Sequence, residues 1–301
     1  MALNRSLVGK SYSPIVTEVT FDAFQKYARA YNDDNRYYFA PPPSTDIMAP
    51  PMFNAVVTWL ALITVLSDPD LRLDPLRLLH RSQDMQFVVP IRPDDRISAM
   101  ASIISIENGA AGEIITIGLE ASNQHCKPVS RTRFTALIRG RRERVRPPPN
   151  LPSSVPLSRE PLLTVSQVID LDQTQRYAEA SGDRNPIHLD ESVARMAGLP
   201  GIIVHGLCTM AFASKVIIQH LCENNPARLR RLAVSFSRPV FPGDSLITLV
   251  WREEDAGILR RFSYETYNAA GVPVLRDGLA EVSSDDYEAD DYEAGEFLTR
   301  S

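Results

Sequence analysis

The sequence predicts an α+β protein built as two like halves, each a curved antiparallel sheet laid against one long buried helix. Three observations carry this. QKYARAYNDDN (25–35) matches QRYAEASGDRN (175–185) at an offset of 150. FVVPIRPDD (87–95) matches FSRPVFPGD (236–244) at an offset of 149, and IMAPPMF (47–53) falls between these anchors roughly where IIVHGLC (202–208) does. Each half also carries a strongly apolar segment followed by runs that alternate apolar and polar residues, the period of a half-buried strand. Ordered matches at nearly one offset mark a tandem duplication. A length of 301 residues is comfortable for two domains of about 150 residues.

In the first half, PMFNAVVTWLALITVL (51–66) predicts the long helix, and strands follow across 83–139. ENGAAG (107–112) marks a hairpin turn, and NAAG (268–271) marks one at similar depth in the second half. The composition then shifts. GRRERVRPPPNLPSSVPLSREP (140–161) is first basic, then rich in Pro and Ser, and has no apolar period, so 140–163 reads as a linker between domains at 1–139 and 164–283. In the second half, TQRYAEA (174–180) favours a helix that Ser181-Gly182 closes. Asn185 precedes Pro186 and is pushed out of the helical region, and Pro186 suits the first turn of a new helix running to Gly198. HGLCTMAFASKVIIQHLC (205–222) is apolar on nearly every face, so it must be buried; at 1.5 Å per residue it is roughly 27 Å long. Two such units side by side could pair their sheets or pack face to face.

Charge and composition narrow the function. Residues 284–301 hold seven acids and one base with DDYEA repeated, and the rest of the chain carries 31 basic and 30 acidic residues. The tail reads as disordered and solvating. The near-neutral body gives no electrostatic case for nucleic acid. No run of about 18 apolar residues predicts a membrane span. MALNRSLVGKSYSP lacks the apolar core of a secretory signal, and Cys126, Cys208 and Cys222 form no CxxC pair. The expectation is a cytoplasmic protein with reduced thiols, and no metal site.

The chemistry concentrates in SGDRNPIHLD (181–190). Asp183 and His188 lie on either side of the Asn-Pro break, and a chain reversal there can bring both side chains to one point, which a straight helix would not. A carboxylate near an imidazole favours the imidazolium, while partial burial raises the carboxyl pKa, so one group can donate as the other accepts. The bland alternative has Asp183 capping the next helix and His188 packing beneath it. Ahead of the buried helix, GIIVHG ends in Gly206, where unpaired N–H groups and the positive helix end could hold an oxygen that gains charge. His205 reads as structural.

YAEASGDRNPIHLDESVA, then GIIVHG before a helix, then FSRPVFPGD, resemble the MaoC-like R-specific enoyl-CoA hydratases, which are 3-hydroxyacyl-thioester dehydratases of the hot-dog fold. The resemblance covers 165–283, and the first half resembles the degenerate domain of the two-domain members. It implies a double hot dog and a reversible hydration of a trans-2-enoyl thioester. Asp183 and His188 match the catalytic pair, Asn185 the residue supporting it, and Gly206 the donor to the thioester carbonyl. No cofactor is expected beyond CoA, which arrives as part of the substrate; acyl carrier protein is the other carrier. A homodimer of such chains is compatible with the family.

The first half departs from the pattern. Asp33 and Asn35 align with Asp183 and Asn185, but Arg36 replaces Pro186 and Tyr38 replaces His188, so no chemistry is expected there. Its aromatic and proline-rich stretch 37–53, with Tyr38 and Phe53, either walls a groove for the acyl chain or packs the seam between halves. Arg228, Arg230, Arg231 and Arg238 cluster near FSRPVFPGD; Arg231 and Arg238 are the candidates for CoA phosphates, against a solvated basic edge. Two other functions stand beside hydration: a hot-dog acyl-CoA thioesterase and a non-catalytic acyl-thioester-binding protein.

Overall fold

The computed structural model describes residues 2–39, 46–140 and 159–284. Most of the expected linker and all but the first residue of the acidic tail lie outside these.

The first half runs β1 (Ile15–Glu18), α1 (Phe21–Arg29), α2 (Arg36–Phe39), α3 (Asn54–Leu66), β2 (Leu78–Phe87), β3 (Arg96–Gly109), β4 (Gly112–Ser122) and β5 (Pro128–Arg139). The second runs β6 (Leu163–Val168), α4 (Gln173–Ser181), α5 (Glu191–Met196), α6 (Gly206–Leu221), β7 (Leu229–Phe236), β8 (Ser245–Arg252), β9 (Leu259–Asn268) and β10 (Pro273–Ser283). All ten strands form one sheet in the order β1-β3-β4-β5-β2-β7-β10-β9-β8-β6. Reading inward from either edge gives the same succession of equivalent strands. The halves therefore pair their sheets edge to edge through antiparallel β2 and β7, with Ser82 opposite Ser235 and Gln86 opposite Arg231.

The duplication holds atom by atom at several places. Val19 N–H donates to Asp95 O at 3.0 Å, as Ile169 N–H does to Asp244 O at 2.9 Å. Asp95 and Asp244 each accept from a backbone N–H three residues back, at 2.8 Å. Tyr27 and Tyr177, equivalent residues on α1 and α4, meet with their hydroxyls 3.1 Å apart, which puts the local two-fold axis between them.

Strand alternation places the core. Along β5, Ser130, Thr132, Phe134, Ala136 and Ile138 are buried and the intervening residues less so. α6 is enclosed as its sequence demands, with Met210, Ala211, Val216 and Ile217 shielded from solvent. One apolar core runs through α6 and β7–β10 into α1 of the first half.

Three local expectations are corrected. The first long helix does not begin at Pro51: Pro51–Phe53 form a 3-10 turn, because Pro51 keeps Pro50 extended, and α3 starts at Asn54. The helix expected from Pro186 to Gly198 is broken in two. Pro186–His188 form one 3-10 turn, Asp190 then accepts from the N–H groups of Ser192 and Val193 at 2.7 and 3.2 Å, and this cap starts α5 afresh. ENGAAG joins β3 to β4 and NAAG joins β9 to β10, so these hairpin turns are not equivalent. Strand pairing, which no turn sequence reveals, decides this.

Candidate active site

The site is assembled where α4 ends. Gly182 takes a left-handed φ of 80°, turning the chain out of the helix without a Cβ clash. Ser181 Oγ accepts from Asp183 N–H at 3.2 Å, Asp183 Oδ1 from Asn185 N–H at 3.1 Å, and Asn185 Oδ1 from Ile187 N–H at 3.3 Å. Asn185 thus supports Asp183 through its backbone, while its side chain caps the 3-10 turn that carries His188. His188 N–H donates to Asn185 O at 3.0 Å, which fixes the imidazole relative to the carboxyl.

His188 is buried and its Nδ1 lies 2.8 Å from Ile203 O. A carbonyl only accepts, so Nδ1 carries the hydrogen and Nε2 presents its lone pair. Burial pushes the His188 pKa down, against the opposing pull of Asp183 and the Ile203 carbonyl. Burial likewise pushes the Asp183 carboxyl up, against the His188 charge and the Asn185 N–H. Desolvation thus works against the charged form of each group, as the sequence expected for the carboxyl, while their mutual attraction opposes it.

His205 completes the cluster. Its ring stacks on His188 with centroids 3.8 Å apart and planes 26° apart, and its Nε2 lies 3.0 Å from the backbone oxygen of Asp183. The next residue, Gly206, opens α6. The first carbonyl of this helix, His205 O, is taken by Thr209 N–H at 3.1 Å, so the N–H groups of Gly206 and Leu207 come before the ladder begins. Gly206 packs against the Phe236 ring of FSRPVFPGD, and that ring lies 4.4 Å from the His80 ring of the first half. Trp59 of α3 reaches the loop from the other side: a Cβ on Gly182 would sit 3.6 Å from its Cδ1. Both halves therefore contribute side chains around the site.

Asp183, His188 and His205 bring ligand atoms within 4.8 Å of one another. They do not fit a metal ion. Lone pairs lie in the ring planes, and two rings stacked 3.8 Å apart cannot both aim at an ion about 2.0–2.1 Å from each nitrogen.

Residues 153–272 match the MaoC like domain family, and residues 6–132 match the FAS1-like dehydratase domain region. The chain is 31% identical to "Enoyl-CoA hydratase 2, peroxisomal" of Arabidopsis thaliana, over 67% of this chain and 69% of that one. The chain belongs to the MaoC-like dehydratase family. To "3-hydroxyacyl-thioester dehydratase Y" of Mycobacterium tuberculosis this MaoC-like protein is also 31% identical, over 69% of its length and 73% of the relative's. It is 28% identical to "Probable enoyl-CoA hydratase 2" of Dictyostelium discoideum over 79% of its own chain and 81% of that one. A crystal structure of a MaoC-like dehydratase from Phytophthora capsici superposes with a TM-score of 0.79 at 21% identity, covering 95% of this chain and 99% of that one. A Mycobacterium tuberculosis protein described as a double hot dog superposes at 0.61 with 10% identity, over 92% of this chain and 96% of that one. The fold is the double hot dog.

The first half of the MaoC-like chain keeps the loop and differs in the side chains that follow it. Asn35 N–H donates to Asp33 Oδ1 at 3.1 Å and Tyr37 N–H to Asn35 Oδ1 at 3.1 Å, the same turn as around Asp183. Tyr38, however, stands where His188 does. Ala49 N–H bonds Ile91 O at 2.8 Å as Val204 N–H bonds Val240 O at 2.8 Å, which sets Pro50-Pro51 opposite His205-Gly206. Proline has no N–H, so Pro51 offers no backbone donor at the place of Gly206.

The remaining candidates fall elsewhere. Tyr38 is fully buried, and Phe53 packs edge-on against Phe24 and Tyr27 at 5.2 and 5.6 Å, so both are core residues and neither walls an open groove. Arg231 is corrected too: Asp84 takes it bidentately across the β2–β7 seam at 2.9 and 2.7 Å, leaving no fork for a phosphate. Arg228 pairs with Glu223 at 2.8 Å, and Arg230 donates to Val88 O at 3.4 Å. Arg238 is exposed two residues beyond Phe236. His205, which the sequence reads as structural, lies against both members of the pair, and its signal is its place beside Gly206. Sequence reasoning missed Trp59 and His80, which come from the other half and carry no local mark.

Proposed function

We propose that this chain catalyses the reversible, R-specific type of hydration of a trans-2-enoyl-CoA thioester to a 3-hydroxyacyl-CoA. The observation that carries the reading is the convergence of Asp183 and His188 across the Asn-Pro break, beside His205, the residue before the N-terminus of α6. In this reading water donates to His188 Nε2 as its oxygen bonds Cβ of the enoyl group. The alkene electrons move through Cα toward the thioester oxygen, which the Gly206 N–H steadies. Asp183 supplies the proton to Cα, and the proton held by His188 returns to Asp183 to reset the pair. Arg238 is the residue assigned to CoA phosphate. CoA enters only as part of the substrate, acyl carrier protein being the other carrier, and the reaction draws on no further cofactor. The reading includes a cytoplasmic location, supported by three cysteines that form no disulfide, and pairing of two chains as a homodimer. Among the described residues no helix is long and apolar enough to cross a membrane.

The test is crotonyl-CoA, followed both by loss of enoyl absorbance and by release of free thiol. Hydration predicts the first without the second. Asp183→Asn and His188→Ala should each lower turnover about 10²–10⁴-fold while remaining folded. Free thiol released in step with the loss of enoyl absorbance would replace this reading by a thioesterase, and stoichiometric binding without turnover would replace it by a carrier-binding protein.

A further inference from the structure

His205 Nδ1 is enclosed without a hydrogen-bond partner, and its Nε2 reaches into the loop that carries Asp183.

We propose that His205 is a positioning residue for the reaction of Asp183 and His188, one half of a reciprocal clasp between the two segments that build the site. The inference rests on the hydratase reading above. His188, on the loop after α4, donates from Nδ1 to Ile203 O on the segment ahead of α6. His205, on that segment, donates from Nε2 back to Asp183 O on the loop. Both assignments follow because a carbonyl accepts and never donates. Between the two bonds the rings lie face to face at 3.8 Å, so neither imidazole can turn without disturbing the other. The clasp holds the backbone of Asp183 and the ring of His188 in one fixed relation, which is what proton transfer at both ends of an alkene requires.

The duplicated half separates this role from fold-building. Around Asp33 the same turn forms, and Met48 N–H bonds Tyr37 O at 3.1 Å as Ile203 N–H bonds Ile187 O at 3.4 Å. The loop and the segment ahead of the helix thus meet in both halves through backbone bonds. Tyr38 and Pro50 replace both imidazoles, and the loop still folds. The clasp is present only where the acid and the imidazole are present together.

His205 is 1% exposed, and the titratable groups facing it are Asp183 and His188 on the loop and Tyr177 on α4, whose ring centroid is 5.0 Å away. Burial, and the His188 charge whenever it forms, hold the His205 pKa down to about 3. It remains an uncharged donor and shields His188 from water.

Two substitutions of similar size read the role directly. The amide nitrogen of Gln can stand in for Nε2, whereas that of Asn stands near Nδ1 and cannot reach the Asp183 carbonyl. His205→Asn should lower kcat for crotonyl-CoA about 10²-fold with KM within about threefold, and His205→Gln should stay within about tenfold of wild type. Equal activity in the two variants, or a loss that resides in KM, would overturn the proposal. If His205→Asn does not fold, the pH profile of His205→Gln decides. With the ring gone, water reaches His188, and the acid limb should move up toward about 6.5; an unmoved limb would overturn the proposal. Asp183→Asn runs alongside as control: if it turns over normally the hydratase reading fails, whatever His205 does.

Discussion

Gly206→Ala tests the start of α6 as the oxyanion donor. The backbone there is not left-handed, so alanine brings no strain of its own; the cost is contact. The new Cβ would stand 3.1 and 3.2 Å from Cε1 and Cδ1 of Phe236, where carbon atoms normally rest about 3.5–4.0 Å apart. Ring or helix must give by about half an ångström. The ring is backed by His80 at 4.4 Å, and His80 by Phe134 at 4.4 Å, an aromatic row across the seam of the two halves. The helix start is therefore expected to yield. A shift of about 0.5 Å is the whole tolerance of a preorganised site, so kcat should fall about 10–100-fold with KM little changed. Overpacking should also lower stability by about 1–3 kcal/mol. The assay is steady-state hydration of crotonyl-CoA with a thermal melt on the same preparation. Phe236→Leu makes room, so the double variant Gly206→Ala/Phe236→Leu should recover most of the lost turnover. If Gly206→Ala keeps kcat within about twofold of wild type, or if the double variant is no more active than the single one, the N–H of Gly206 is not the donor.

Three further outcomes are expected. Asp33 is buried and its carboxyl is pushed up to about 6, so its contribution to stability is fully favourable below the ordinary carboxylate range and is lost as pH rises toward 6. Asp33→Asn keeps the turn, and its stability relative to wild type should rise by roughly 2 kcal/mol between pH 4 and 7, as chemical denaturation would measure; a flat difference would mean Asp33 is already ionised at pH 4. Phe53→Ala should cost about 3–5 kcal/mol without shifting preference among enoyl-CoA chain lengths; an altered length profile in a stable variant would return Phe53 to the substrate. Arg231→Ala should leave KM for the CoA thioester unchanged, and a double-mutant cycle with Asp84→Ala should give a coupling of roughly 1–2 kcal/mol; a KM rise would restore Arg231 as a phosphate contact.

The sequence by itself determined whatever depends on neighbours in the chain. The enclosure of α6, the closing of α4 at Gly182 and the break that lets Asp183 and His188 converge all follow from short-range patterns. Each is a matter of local dihedrals or of a face that must leave water. Pairing of distant segments was decided only by the tertiary structure. The join of the halves through β2 and β7, the non-equivalence of the two Gly-containing turns and the capture of Arg231 by Asp84 depend on which strand lies beside which. The same limit hid the walls of the site. Trp59 and His80 meet the catalytic loop and Phe236 from the other half, and His205 gains its role from a carbonyl 22 residues away. The depth of burial at the pair was tertiary as well: it sets how strongly desolvation lowers the imidazole and raises the carboxyl against their mutual attraction.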